Sequence, residues 1–258
     1  MFVSLRINLI VGSALALLWA TPLLPAQTAS DYFTLLSGEQ RAVSITRVDR
    51  QNLYYRTPSG ELPQPLRSLK TWGLVERPTV QPALKAVMAG QPAQAVPALK
   101  QIVDSFLDSP AAGLPWVADS SVALVRAYSE LKQYGEADAV AKKFMASLPK
   151  EVNRVKPFLA VALAGQKKYD EAIALLQEVV KDGEKKLAVT PTESRSFGQA
   201  YLALGDCYAG KGEEEKALEA YLITVVLYFQ DESVVRQAQA KADELKKKLR
   251  PAAQKPPA

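Results

Sequence analysis

Histidine is absent from this chain of 258 residues, and cysteine occurs once, as Cys207. Without histidine, the protein lacks the usual general base at neutral pH and the commonest metal ligand. A single cysteine excludes an intramolecular disulfide and a cysteine-based zinc site. We interpret Cys207 as a small core residue, with a disulfide between two chains as the alternative.

The sequence also lacks a concentrated block of charge of either sign. Its 32 basic and 27 acidic residues give a formal net charge of +5, which is spread along the chain. A nucleic-acid-binding protein usually carries a basic stripe with interleaved aromatic residues, so we expect no nucleic-acid partner. Hydrophobic residues make up 48% of the chain, which is ordinary for a folded protein with one large domain or two small ones.

No catalytic motif is complete. The segment Gly205–Lys211 matches most of a phosphate-binding loop, but Gly212 stands where a serine or threonine would bind magnesium. Ser129 and Lys132 have the spacing of a Ser-x-x-Lys nucleophile and base, but the companion motifs of that enzyme class are missing. The sequence therefore predicts no catalytic residue, no cofactor and no metal site.

The N-terminal segment is similar to a secretory signal peptide. Arg6 precedes a largely apolar run, Ile7–Ala20, and two prolines then lead to small residues. We predict removal of residues 1–26, with cleavage after Ala26, or after Ala29 as the second choice. An uncleaved anchor is the alternative, but the run is shorter than the roughly 20 residues of a bilayer span. No cysteine lies near the cleavage region, so we expect a periplasmic or secreted protein that is not a lipoprotein. Membrane contact is expected only if the segment stays uncleaved.

Residues 31–77 alternate apolar and polar side chains with a period of two. Val43 and Ile45 show this in the first run, and Leu53 and Tyr55 show it in the second. Turn-forming residues separate the runs, which predicts a small β-rich module of three or four short antiparallel strands. The layout resembles the SH3-like and Sm-like small barrels.

Residues 80–249 show the period of α-helices. The decisive pattern is Tyr201-x-x-Leu204-Gly205-x-x-Tyr208, which is followed by Ala217-x-x-x-Tyr221. This pattern resembles the tetratricopeptide repeat, with tyrosine in place of the leading tryptophan and of the later phenylalanine. The resemblance implies two antiparallel helices that approach closely at Gly205 and Ala217. We expect Gly210 and Gly212 to end the first helix of this pair.

The same pattern recurs three times upstream, the earliest copy being degraded. The key small residues of the four copies are Ala95, Ala137, Ala172 and Ala217, which lie 42, 35 and 45 residues apart. Because the family repeat has about 34 residues, we expect loop insertions, notably Lys185–Arg195. The predicted fold is mainly α: a helical-hairpin solenoid of the tetratricopeptide type over residues 80–249, with Ser233–Leu249 as a capping helix. An ordinary antiparallel helical bundle is the alternative. Residues 250–258 are rich in proline and alanine, which predicts a disordered tail.

In such an array the first helix of each pair lines the concave side. The resemblance therefore implies a groove for a protein partner, in the form of a peptide segment or a helix. The groove positions of the three clear copies are Asp119, Val122, Arg126, Arg154, Gln199, Leu202 and Asp206.

The leading interpretation is an exported, non-enzymatic scaffold or adaptor. The alternative is a structural subunit of a cell-envelope secretion or assembly complex. Another protein is the expected partner in both cases, and a homodimer is a further open alternative.

Overall fold

A computed structural model describes residues 30–186 and 188–249. The predicted signal peptide, residues 1–26, and the predicted tail, residues 250–258, lie outside this part of the chain. In the described part, no helix combines the length and the apolar character that a bilayer span needs.

The described chain forms six β-strands and then nine α-helices. The strands are β1 (Tyr32–Leu35), β2 (Gln40–Ala42), β3 (Ile45–Val48), β4 (Asn52–Thr57), β5 (Gly60–Pro65) and β6 (Leu69–Gly73). The helices are α1 (Val80–Met88), α2 (Pro92–Phe106), α3 (Pro115–Glu130), α4 (Tyr134–Ser147), α5 (Lys156–Gly165), α6 (Tyr169–Glu184), α7 (Pro191–Lys211), α8 (Glu214–Leu227) and α9 (Glu232–Leu249). The predicted fold class, a helical-hairpin array preceded by a small antiparallel β module, is confirmed.

The β module consists of two three-stranded antiparallel sheets, with strand orders β2-β1-β6 and β3-β4-β5. The described chain has six strands in this module, whereas the sequence predicts three or four. The first missed strand, β1, has four residues and lies between β2 and β6, and β6 is about 40 residues away in sequence. The second, β5, is an edge strand that contains Pro63 and Pro65. Because proline cannot donate a hydrogen bond to a neighbouring strand, it argues against a strand in the sequence pattern.

A buried ion pair joins the two sheets to the helices. The carboxylate of Asp31 accepts hydrogen bonds from the backbone N–H of Ile45 and of Val75, both at 2.9 Å, and from Arg77 Nη1 at 2.8 Å. The guanidinium of Arg77 also lies over the rings of Phe106 and Trp116, at 5.3 and 5.8 Å from their centroids. The two ends of the β module are therefore fastened to each other and to α2 and α3.

The helices α1 to α8 form four antiparallel hairpins with the same turn. After each first helix, one residue has a positive φ. These residues are Gly90, Lys132, Lys167 and Gly212. Each lies five residues before the key alanine of its copy. In each turn the next N–H donates to a carbonyl five residues earlier, in the pairs Gln91–Ala86, Gln133–Tyr128, Lys168–Leu163 and Glu213–Tyr208, at 2.8 to 3.0 Å. This is the Schellman arrangement, which satisfies carbonyl groups at a helix end. The degraded first copy therefore folds as a full member of the array.

Tyrosine rings pack against glycine residues between the helices. Within the last hairpin the ring of Tyr221 lies against Gly205, so a Cβ there would come closer than 3.0 Å to the ring. Between neighbouring hairpins, Tyr134 at the start of α4 lies against Gly165, and Tyr169 at the start of α6 lies against Gly210 in the same way. Gly210 therefore lies within α7, where it gives room to the Tyr169 ring. Only Gly212 ends that helix, so the prediction that both glycines end it is wrong for Gly210.

The loop insertion predicted over Lys185–Arg195 is only partly correct, because residues from Pro191 onward already belong to α7. Helix α6 extends to Glu184 and α7 begins at Pro191. A reciprocal cap starts α7: the Glu193 N–H donates to Thr190 Oγ1 at 3.3 Å, and the Thr190 N–H donates to Glu193 Oε2 at 2.9 Å. The ion pair with Lys186, together with the bonds from Thr190, lowers the pKa of Glu193 to about 2.

The close approach at Gly205 gives a stability prediction with an internal control. Tyr221 is 2% exposed, so a methyl group at Gly205 would force its ring to move. We expect Gly205→Ala to lower the free energy of unfolding by about 1–3 kcal/mol, as overpacked cores do. Gly135 in α4 has open space around its Cα, so Gly135→Ala is expected to stabilise by up to about 1 kcal/mol through helix propensity. Urea denaturation of both variants is the measurement, and equal effects of the two substitutions would contradict the packing account.

Candidate functional site

A cleft of about 550 Å³ lies along the first helices of the four hairpins. Its walls come from α1, α3, α5 and α7, and the turn between α8 and α9 closes one end. The lining residues are Leu84, Val87, Met88, Asp119, Val122, Ala123, Arg126, Arg154, Phe158, Thr192, Arg195, Ser196, Gln199, Gln230, Asp231, Glu232, Ser233 and Arg236. The cleft thus combines residues from every hairpin.

One part of the cleft is apolar. Met88, the last residue of α1, is 73% exposed, the largest exposed fraction among the exposed large hydrophobic residues of the described chain. Val122 and Phe158 are half-buried beside it. Because the methionine side chain is flexible and polarizable, an exposed Met88 can adapt to apolar side chains of different shapes.

The cleft also carries four arginines, each paired with an acidic side chain. Arg126 lies 2.7 Å from Glu130, Arg195 lies 3.8 Å from Asp231, and Arg236 lies 3.9 Å from Glu232. Arg195 and Arg236 keep more than half of their side-chain surface exposed. Guanidinium groups in such weak surface pairs remain available for carboxylate or carbonyl oxygens of a ligand.

Arg154 holds two helical copies together at the centre of the cleft. It forms ion pairs with Asp119 of α3 and, at 2.6 Å, with Glu151. Burial alone would lower the pKa of Arg154, but the hydrogen bonds to Glu151 and Asp119 raise it above its ordinary value. This residue therefore keeps its charge and fixes the floor of the cleft.

Five of the seven residues predicted for the groove lie in this cleft: Asp119, Val122, Arg126, Arg154 and Gln199. The other two, Leu202 and Asp206, are on the side of α7 that faces α9. Leu202 is 9% exposed and packs with Val234 and Ala238 of α9. Because α9 packs on this side of α7, Leu202 is buried under the capping helix and Asp206 pairs with Lys241 of α9, and neither residue lines the cleft.

Several lining residues were missed from the sequence for identifiable reasons. The spacing that gives Arg126, 11 residues before Ala137, gives Leu84 when it is counted back from Ala95. The degraded first copy supplies no predicted groove position, so Leu84 is missed; Met88 lies one turn further along α1, at a spacing that the groove pattern does not include. Residues 230–236 belong to the capping segment, which has no place in the repeat pattern, and no sequence signal marks them.

The residues of the incomplete catalytic motifs have structural roles. The hydroxyl of Ser129 is buried within hydrogen-bonding distance of the carbonyl oxygens of Val125, at 2.8 Å, and Phe158, at 3.1 Å. Cys207 is 1% exposed, which confirms it as a core residue, and burial raises the pKa of its thiol to about 12. In residues 30–186 and 188–249, no three acidic, cysteine or histidine side chains are grouped to hold a metal ion.

Four hairpins with a shared turn and a shared small residue define a helical-repeat array. Two of its segments, residues 159–182 and 198–222, match sequence profiles of the tetratricopeptide repeat. These two segments therefore are tetratricopeptide repeats, and such repeats generally mediate binding to other proteins. No curated protein sequence matches the chain significantly.

Solved structures with a similar helical array include two kinds of repeat protein. MamA from AMB-1 is 18% identical, with a TM-score of 0.41, over 67% of this chain and 99% of that one. MamA from Desulfovibrio magneticus RS-1, residue 41 to the end, is 18% identical, with a TM-score of 0.40, over 67% and 96%. A Podosopora anserina protein with nearly identical TPR-like repeats, described as a kinesin light chain, is 21% identical, with a TM-score of 0.43, over 69% and 100%. Likenesses at this level do not specify a function.

The position of Asp206 gives a prediction that separates it from the cleft. Its carboxylate accepts hydrogen bonds from the Tyr221 hydroxyl at 2.7 Å and from Lys241 Nζ of α9 at 2.5 Å. Asp206→Ala leaves the buried hydroxyl unsatisfied, so we expect a loss of about 1–3 kcal/mol and faster amide hydrogen exchange in α9. Gln199→Ala in the cleft is expected to change stability by less than about 0.5 kcal/mol. Unchanged exchange in α9 for the Asp206 variant would contradict this assignment.

Proposed function

We propose that this protein is an exported, non-enzymatic scaffold or adaptor that binds a segment of another protein in the cleft of its repeats. The observation that carries the proposal is the cleft itself, which is lined by the exposed Met88 and by four arginines. The class of protein supports it, because tetratricopeptide repeats generally bind other proteins.

The composition of the cleft favours a polypeptide over a small polar ligand. Met88, Val122 and Phe158 offer apolar surface whose burial contributes roughly 25 cal/mol per Å². The arginine forks can bind side-chain carboxylates and backbone carbonyls of the same ligand. A peptide segment with apolar and acidic side chains fits both parts of the surface.

Export rests on the N-terminal segment. Its basic start, apolar core and small residues are the signals that a secretory peptidase recognises. We extend the proposal to a periplasmic or secreted location, in which residues 1–26 are absent from the working protein.

The export proposal predicts the N-terminus of the purified protein. When the full gene is expressed in a bacterium with an intact general secretory pathway, intact-mass spectrometry should find a chain that begins at Gln27, or at Ser30 if the second site is used. The protein should be released with the periplasmic fraction. A chain that retains Arg6 and fractionates with membranes would contradict cleavage and support an anchor.

The alternative, a permanent subunit of an envelope complex, differs in how the partner is held. A scaffold of the proposed kind exchanges its partner, so the amount bound falls on dilution. A subunit keeps a fixed stoichiometry with its neighbours through purification.

The cleft assignment predicts the outcome of a capture experiment with a matched pair of variants. Met88→Glu places a charge in the apolar part of the cleft, and Leu36→Glu changes an equally exposed hydrophobic residue, 69% exposed, in the β module. Neither side chain supports the core, so both variants should fold. We expect Met88→Glu to reduce capture of a partner from envelope extract roughly tenfold, which corresponds to about 1.4 kcal/mol, and Leu36→Glu to leave capture unchanged.

Quantitative mass spectrometry of the captured proteins is the measurement. A partner retained equally by the parent and by Met88→Glu would place binding outside the cleft. A partner lost only with Leu36→Glu would assign binding to the β module.

A further inference from the structure

The outer face of α8 is apolar and exposed. Two rows of residues form it: Leu218, Leu222 and Val226 in one row, and Glu215, Glu219, Ile223 and Leu227 in the other. We call this surface the α8 face. Val226 and Leu227 are 66% and 60% exposed, so the C-terminal half of the face has no cover within the described chain.

The second helices of the other three hairpins show that this exposure is not a general property of the fold. Helices α2, α4 and α6 occupy the equivalent position, and their exposed residues are charged residues, glutamine, alanine, glycine and proline. Large exposed hydrophobic residues occur on α8 and on none of these three helices. One repeat therefore carries a surface that the architecture does not require.

The packing of α8 leaves this face free. Its buried residues, Ala217, Ala220, Tyr221 and Thr224, are the ones that pack inside the array. Leu218 and Leu222 touch the cluster under α9 at one edge, and Ile223 touches the cluster of α6 and α7 at the other. The strip between these edges is open along the helix, which at 14 residues is about 21 Å long.

Two carboxylates give the α8 face a polarity along its length. Glu215 and Glu219 are exposed at the N-terminal end, and neither has a basic partner among the described residues. The nearby Glu213 forms ion pairs with Lys211 and Lys216. Glu214 forms an ion pair with Lys248. The face is thus acidic at one end and apolar at the other.

We propose that the α8 face docks an amphipathic helix of another protein, whose apolar stripe ends in lysine or arginine residues that pair with Glu215 and Glu219. Helices commonly bind other helices or grooves through such a stripe. Charge complementarity at the acidic end fixes the direction of the bound helix, and this site is separate from the cleft.

A second copy of the chain fits the α8 face poorly. Antiparallel pairing of two α8 helices would place Glu215 and Glu219 against Val226 and Leu227 of the other copy. Residues 220–229 contain no basic side chain, so these carboxylates would be desolvated without a partner. Parallel pairing would bring the acidic ends together.

The test uses a fluorescein-labelled synthetic helix of 18 residues with a leucine stripe that ends in two lysines. A twin peptide has glutamates in place of the lysines. Fluorescence anisotropy at low ionic strength, where surface charges are least screened, measures binding of both peptides to the purified protein. We expect the lysine peptide to bind about tenfold more tightly than its twin, from two surface ion pairs.

Four variants make the test specific. Glu215→Lys with Glu219→Lys should reverse the preference between the peptides, whereas the matched control, Glu136→Lys with Glu171→Lys on α4 and α6, should not. Val226→Glu with Leu227→Glu should abolish binding of both peptides. Met88→Glu should leave binding unchanged, which separates this site from the cleft.

Other results would overturn the proposal. They are no measurable binding of the lysine peptide, equal binding of the two peptides, or binding that survives Val226→Glu with Leu227→Glu. Sedimentation velocity that shows a dimer lost in this double variant would assign the face to a second copy. Co-sedimentation with phosphatidylcholine vesicles, lost in the same variant, would assign it to a lipid surface.

Discussion

The contact of tyrosine rings with glycine residues sets the distance between the helices, and the rest of the array follows from it. Tyr221 lies against Gly205 within one hairpin, and Tyr134 and Tyr169 lie against glycines of the next hairpin. Because a Cβ would not fit at those positions, the rings set the spacing within the last hairpin and the steps from the second hairpin to the third and from the third to the fourth. The common Schellman turn then fixes how each second helix returns along the first. With the step and the turn fixed, the first helices of all four hairpins share one side and form the wall of the cleft.

The two ends of the array are closed in different ways, and each closure shapes a surface. At the N-terminal end the Asp31–Arg77 pair binds the β module to α2 and α3, so the apolar residues there are covered. At the C-terminal end α9 covers Leu202 and Tyr221 but does not reach Val226 and Leu227. The start of α9 closes the cleft, and its body leaves the outer face of α8 open. The position of the capping helix therefore sets one end of the cleft and the exposure of the α8 face.

The sequence predicts the parts of this structure that depend on local spacing. The alanines at 95, 137, 172 and 217 locate the four hairpins, and the capping helix predicted from Ser233 begins one residue earlier, at Glu232. The parts that it does not predict depend on distant residues. Strand β1 needs β6 as its partner, and the role of Asp31 is visible only when residues 45, 75 and 77 are placed around it. Leu202 and Asp206 match the groove spacing of the family, but that spacing carries no information about where the array ends. The start of α7 at Pro191 depends on the reciprocal cap between Thr190 and Glu193, which falls inside the segment predicted as a loop.

The central claim is that the cleft holds a segment of another protein. Site-specific photo-crosslinking in living cells tests it most directly, with a photoreactive amino acid at Met88, Gln199 or Arg236 in the cleft and at Glu171 or Gln177 on the outer side of α6. The account predicts that all three cleft positions yield an adduct with the same protein and that the α6 positions yield none. Adducts from the α6 positions together with none from the cleft would contradict it.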